Sequence, residues 1–141
     1  MEHEYVAEWF RFADSDLASA EYLKGMKPQP LEIICYHCQQ AAEKYLKSYL
    51  IFMGIDEVPK THNTVYLNEE CTKLDKRFTK INDEALKLNK YGSQPRYPFE
   101  VYIQERDMLN AVEYARTVKD FEPLVEIRKI ILSDGPGGSA E

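Results

Sequence analysis

Apolar residues in this chain recur at spacings of three and four, and nowhere does an alternation with a period of two persist. That pattern admits helices and leaves little room for a sheet, because helical side chains share a face every 3.6 residues and strand side chains every second one. Tyr5, Trp9, Phe12, Ala13, Leu17, Ala20 and Leu23 predict a first helix from Glu4 to Lys24, stopped by Gly25 and by Pro28 and Pro30. Leu31, Ile34, Cys38, Ala41, Ala42, Tyr45, Tyr49 and Met53 predict a second, opening near Pro30 and ending at Gly54. A loop over 54–63 precedes a short helix capped by Asn63 or Thr64 and carrying Val65, Tyr66, Leu67 and Leu74. A fourth helical segment is expected over Arg77–Tyr91, with Phe78, Ile81, Ala85 and Leu88 on one face. Gly92, Pro95 and Pro98 exclude regular structure up to the last run, Ile103 to Leu132. Pro123 inside that run predicts a kink or break near Phe121–Glu122.

The expected fold is therefore all-α, an up-and-down bundle of about five helices around a four-helix-bundle-like core. Its 141 residues suit one domain, placed at 1–133, with 134–141 as a tail that offers no core-forming residues. No stretch of 18 apolar residues is present, so no membrane span is expected. The acidic start, Met1-Glu2-His3-Glu4, is unlike a secretory leader, and the chain is expected to be cytoplasmic.

Cysteine usage and charge exclude further classes. Cys35, Cys38 and Cys71 are odd in number, and the C-x-x-C of Cys35 and Cys38 lacks both a preceding strand and a second ligand pair. They read as small core residues, and neither a metal nor a cofactor is expected. The net charge of −6 makes a poor non-specific partner for nucleic acid. Residues 60–96 reverse the balance, with eight bases against five acids, so one basic sector could still meet a phosphate or an acidic partner.

The second helix is the most informative. His37, Gln40, Lys44 and Lys47 stand at offsets of three, seven and ten, on one side of the helix, with Glu43 at the edge and within i,i+4 reach of Lys47. An imidazole, an amide and two ammonium groups together suit a base edge and a phosphate. The same spacing also describes the solvated face of any amphipathic helix.

The string His37-Cys-Gln-Gln-Ala-Ala-Glu-Lys-Tyr-Leu-Lys47 closely resembles the H-x-Q-Q-A-x-E-K-x-L-K signature of the HEPN family, whose name denotes nucleotide binding. Thr61-His62, Arg96-Tyr97-Pro98 and the stretch from Trp9 through Asp14-Ser15-Asp16-Leu17 fall in the order that family shows, so the resemblance covers roughly residues 5–130. It implies a helical bundle that frequently dimerises, and a frequent association with small nucleotidyltransferase-like proteins, as in toxin–antitoxin pairs. It also implies a polar groove in which His37, Gln40, Lys44 and Lys47 are joined by His62, Arg96 and Tyr97. Arg96 is the natural phosphate clamp there, and Tyr97 either stacks on a base or plugs the bundle.

Many HEPN proteins cleave RNA through an arginine followed four to six residues later by a histidine. His3, His37 and His62 are the only histidines, and none follows an arginine at that distance. The expectation is thus a module binding a nucleotide or RNA and a protein partner, with no catalytic residue assigned. Two alternatives remain: a structural protein whose motif serves folding and dimer packing, and a ribonuclease with an atypical site built from His37, His62 and Arg96.

Overall fold

The computed structural model describes residues 2–92 and 102–133, and every structural statement below refers to them. They form six α-helices and no strand: α1 (Glu2–Leu23), α2 (Leu31–Phe52), α3 (Thr64–Leu74), α4 (Asn82–Asn89), α5 (Glu105–Lys119) and α6 (Glu122–Ser133), with a 3-10 turn over Lys76–Ile81. No helix is long and apolar enough to cross a membrane.

The helix ends follow local chemistry. At the end of α2, Gly54 takes φ of +90°, a left-handed backbone that costs a glycine little. There the Ile55 N–H reaches back to the Leu50 carbonyl at 3.1 Å, satisfying one of the orphan acceptors of the last turn. Asn63 caps α3, its side-chain oxygen accepting from the Tyr66 N–H at 2.9 Å. The expected fourth helix is instead the 3-10 turn followed by α4. Asp75 sets that turn, accepting from the Arg77 N–H at 2.9 Å. The last run divides where expected. Pro123 has no N–H to give to the preceding turn, so the helix stops at Lys119 and restarts with Pro123 inside the first turn of α6.

The axis of the bundle is α2, which packs against every other helix. Ile34, Cys35, Cys38, Ala41, Ala42, Tyr45, Leu46, Tyr49 and Leu50 are buried on it, and Cys71 joins the same core from α3. Burial pushes the Cys35 thiol up to about 12, so it stays protonated and inert at neutral pH. Phe78 is fully buried between Tyr49 and Phe121, with ring centroids 4.6 and 5.1 Å away, and so ties α2, the 3-10 turn and the start of α6 together.

On α1 the buried stripe differs from the expectation. Val6, Phe10, Ala13, Leu17 and Ala20 face the core, whereas Tyr5 and Phe12 stand 57% and 51% exposed. Ala13 and Ala20 are small enough to let α2 approach closely, which selects this face. The expected phase was therefore wrong by about one residue at its N-terminal end. Phe10→Ala should destabilise the fold by roughly 3–4 kcal/mol and Phe12→Ala by less than about 0.5 kcal/mol, as read from urea denaturation. Equal losses would refute the observed phase.

Ion pairs fasten the outer helices. Arg128 of α6 grips Asp14 of α1 with two hydrogen bonds of 2.9 Å, and the Tyr45 hydroxyl donates to the same carboxylate at 2.5 Å. Arg116 of α5 pairs with Glu21 of α1. Burial alone would raise the pKa of Asp14, but the Arg128 guanidinium and the Tyr45 hydroxyl outweigh it and hold this carboxyl below the usual range. A depressed carboxyl stabilises the fold above its unfolded value of about 3.9 and loses that contribution as pH falls through the folded value. Asp14→Asn should therefore lower the melting temperature at pH 7, with the gap from wild type closing below about pH 4. A gap of constant size down to pH 2.5 would contradict this assignment.

Candidate functional site

α1 and α2 run antiparallel, and the polar string of α2 lines the seam between them. His37 and Lys44 lie two turns apart on α2 and converge on Asp16 of α1. The His37 Nδ1 is 3.0 Å from one carboxylate oxygen and the Lys44 Nζ 2.5 Å from the other. A carboxylate only accepts, so the proton of His37 sits on Nδ1 and its Nε2 is left for another partner.

Gln40 carries the network onward. Its amide nitrogen donates to Gln39 Oε1 at 2.8 Å and to Glu43 at 3.2 Å, while its oxygen lies 3.5 Å from Lys44. Glu43 is the hub of the second half. With a side chain only 5% exposed, it binds Lys47 at 2.8 Å and the His62 Nδ1 at 3.0 Å. The same reasoning fixes the proton of His62 on Nδ1, and this ring is 68% exposed at the surface. Gln39, fully buried, donates to the His62 carbonyl at 2.6 Å, so the loop after α2 is held by both backbone and ring.

Five of the seven sequence-predicted residues thus share one network: His37, Gln40, Lys44, Lys47 and His62. Lys47 is not an exposed member of the polar stripe, unlike the groove position that the resemblance implied. It is buried against Glu43, with its ammonium 5.8 Å from the centroid of the Trp9 ring. Arg96 and Tyr97 lie outside the described residues. Gly92, the last one before them, lies against the site: a Cβ there would meet the His62 carbonyl at 3.1 Å and the Gln39 amide at 3.2 Å.

The spacing of α2 could not reveal Asp16 as the partner of His37 and Lys44, nor Gln39 as a clamp. The signal for Asp16 was the Trp9–Leu17 stretch of the resemblance, and for Gln39 the doubled glutamine of the motif. The formal charges of Asp16, Glu43, Lys44 and Lys47 cancel. The site offers polar edges more than net charge, and no cluster of three or more His, Cys, Asp or Glu suited to a metal occurs among the described residues.

An antiparallel α1–α2 pair with a carboxylate–imidazole–lysine seam, closed by a histidine from the following loop, defines a helical-bundle module. The HEPN domain pattern matches residues 6–125, and the chain belongs to the HEPN family, which is generally related to nucleotides and RNA. Among solved structures it is similar to an archaeal HEPN homologue at 27% identity, with a TM-score of 0.62 and coverage of 89% of this chain and 97% of that one. In a comparison with curated proteins, none matches significantly.

Because the Glu43 carboxylate is buried, removing it strands the Lys47 ammonium in the bundle. Glu43→Ala should cost about 3–5 kcal/mol, while joint replacement by apolar residues, Glu43→Leu with Lys47→Met, should recover most of the loss. A Glu43→Ala variant as stable as wild type in urea would show that the pair has no structural role.

Proposed function

We infer that this chain is a nucleotide- or RNA-binding module whose ligand meets the outer edge of the α1–α2 seam. The observation that carries the reading is the pair of oriented imidazoles. His37 and His62 are each held through Nδ1 by a carboxylate, which leaves Nε2 of both rings to a ligand. A neutral Nε2 accepts from an exocyclic amine or a sugar hydroxyl, and Lys44 and Gln40, both part-exposed, add a donor and an amide edge. Since the four formal charges of the seam cancel, the cation for a phosphate comes from elsewhere. Arg96 is assigned that role, because its guanidinium offers paired donors and its segment follows Gly92 at the site. Tyr97 is assigned to the same segment as a plug or stacking ring.

Partner binding extends the reading. A homodimer, and an accessory role beside a nucleotidyltransferase-like protein as in a toxin–antitoxin pair, both rest on the family resemblance. No catalytic residue is assigned. The structural reading of the motif also has direct support, because its side chains are paired with one another in the network. The two readings part on ligand binding.

Titration of labelled mononucleotides and short RNAs should give saturable binding to wild type. Lys44→Ala and Arg96→Ala should each weaken it by about tenfold or more, in line with about 1.5–3 kcal/mol for a hydrogen bond to a charged group. No binding of any of these probes to folded wild-type protein would remove the nucleotide part and leave the motif a purely structural one.

A further inference from the structure

Three aromatic residues in the N-terminal half of α1 lie on a single line: Tyr5 and Phe12, both exposed, and the half-buried Trp9 between them. Tyr5, Trp9 and Phe12 stand at i, i+4 and i+7, and the next position on that line, i+11, is Asp16, the residue that binds His37 and Lys44. The line therefore leads directly into the polar seam. Tyr5 and Trp9 meet edge to face with centroids 6.4 Å apart. Single exposed rings are ordinary on a protein surface, but two exposed rings flanking a half-buried one in the same row form a patch.

Trp9 is a ridge between two hollows. One, of about 990 Å³, lies between α1 and the loop after α2 and is lined by Tyr5, Trp9, Lys47, Val58, Pro59 and Lys60 among others. The second, of about 440 Å³, is lined by Tyr5, Glu8, Trp9, Phe12 and Lys44. Each hollow thus sets an aromatic wall beside a lysine of the motif. A cation also attends two of the rings: Arg11 lies 4.7 Å from the Phe12 centroid, and Lys47 lies 5.8 Å from that of Trp9. The ion pair of Arg11 with Glu8 is an exposed i,i+3 pair, which is worth little and is readily exchanged for a phosphate.

We propose that Tyr5, Trp9 and Phe12 form a stacking platform for the bases of a short single-stranded RNA. One end of that strand occupies the polar seam at Asp16, His37 and Lys44. The proposal rests on the nucleotide reading of the seam and extends it from one nucleotide to a strand. Ring spacing supports a single strand over a duplex. At 1.5 Å of rise per residue the rings are rooted about 6 and 4.5 Å apart, more than the 3.4 Å between stacked bases of a helix. Bases splayed onto separate rings fit this spacing, as sequence-tolerant single-strand sites do. The charge balance points the same way. With Lys44 and Lys47 already neutralised by Asp16 and Glu43, few counterions are released on binding, so stacking carries the affinity. A second copy of the chain docked on this face would instead remove the exposed Arg11–Glu8 pair from water, whereas a strand can exchange that pair for a phosphate contact.

Trp9 is the single tryptophan of the chain, so its fluorescence reports on the platform without a label. Oligoadenylates of one to six nucleotides would be titrated into wild-type protein, with quenching and affinity both measured, and with Trp9→Phe, Phe12→Ala, Tyr5→Ala and Tyr22→Ala alongside. Tyr22, 85% exposed on the same helix but off the line, is the control. The expected result is quenching of Trp9 and affinity that rises through about three nucleotides. Phe12→Ala and Tyr5→Ala should each lose about 5- to 100-fold on the trinucleotide, with little effect on the mononucleotide. Tyr22→Ala should match wild type, and the salt dependence should correspond to no more than about one or two phosphates. Mononucleotides that bind while longer strands bind no tighter and leave Trp9 unquenched would overturn the platform and leave the seam intact. Absence of binding at every length would overturn both. Phe12→Ala or Tyr5→Ala turning a dimer into a monomer by light scattering, with strand affinity unchanged, would assign the stripe to a second copy and overturn the proposal.

Discussion

A carboxylate buried to the depth of Glu43 needs a cation and hydrogen-bond donors beside it, and much of this molecule is arranged to supply them. Lys47 comes from one turn further along the same helix and His62 from the loop beyond it, while Gln40 adds a hydrogen bond from the seam side. The consequence reaches past the pair itself. Holding His62 at Glu43, and its carbonyl at Gln39, fixes where the 54–63 segment lies against α2. That segment is one wall of the hollow beside Trp9 and ends in Asn63, the cap of α3. One buried charge therefore positions a helix start, a loop and a face of α1 at once.

The polar seam also explains how an acidic protein can present lysines in a binding motif without becoming a basic surface. Each motif lysine has its own carboxylate, Asp16 for Lys44 and Glu43 for Lys47. In the nucleotide-binding reading proposed above, such a site discriminates through hydrogen-bond edges and shape, since its paired charges cancel. It gains little from salt-dependent steering. Specificity would then depend on geometry, which the pairing itself enforces. His37 and Lys44 are both locked onto Asp16, and locking side-chain rotamers before a ligand arrives lowers the entropy lost on binding.

How much of this was legible in the sequence differs from element to element. Helix identity followed from periodicity, and the break at Pro123 from the missing N–H. The phase of α1 did not follow, because that helix is apolar on two adjacent faces. Tyr5, Trp9 and Phe12 satisfy the helical repeat as well as Val6, Phe10 and Ala13 do, and only contact with α2 decides which row turns inward. On α2 the shared side of His37 and Lys44 was correctly read from spacing. Their common partner was not, since Asp16 is 21 residues from His37 in sequence and pairs with it only after the two helices dock. Lys47 failed in the opposite direction. Its spacing matched the polar stripe, but Glu43 within i,i+4 reach folded it inward. His62 could be placed only by resemblance, because nothing in a ten-residue loop reports which residue folds back onto the preceding helix.

The geometry of the two imidazoles bears on whether the site recognises or cleaves. General acid–base cleavage of a phosphodiester needs two proton carriers around one phosphate. His37 projects from α2 itself, whereas His62 is anchored at Glu43, six residues further on. That displacement is about 9 Å along the axis and about 120° around it. The anchors of the two rings therefore lie on different flanks of the helix, joined through Asp16, Lys44, Gln40 and Glu43. Arg116 of α5 is committed to Glu21 and Glu113 and is not positioned as a free phosphate clamp beside either ring. In the strand-binding reading proposed above, two oriented imidazoles spread along a seam contact successive groups of an extended ligand.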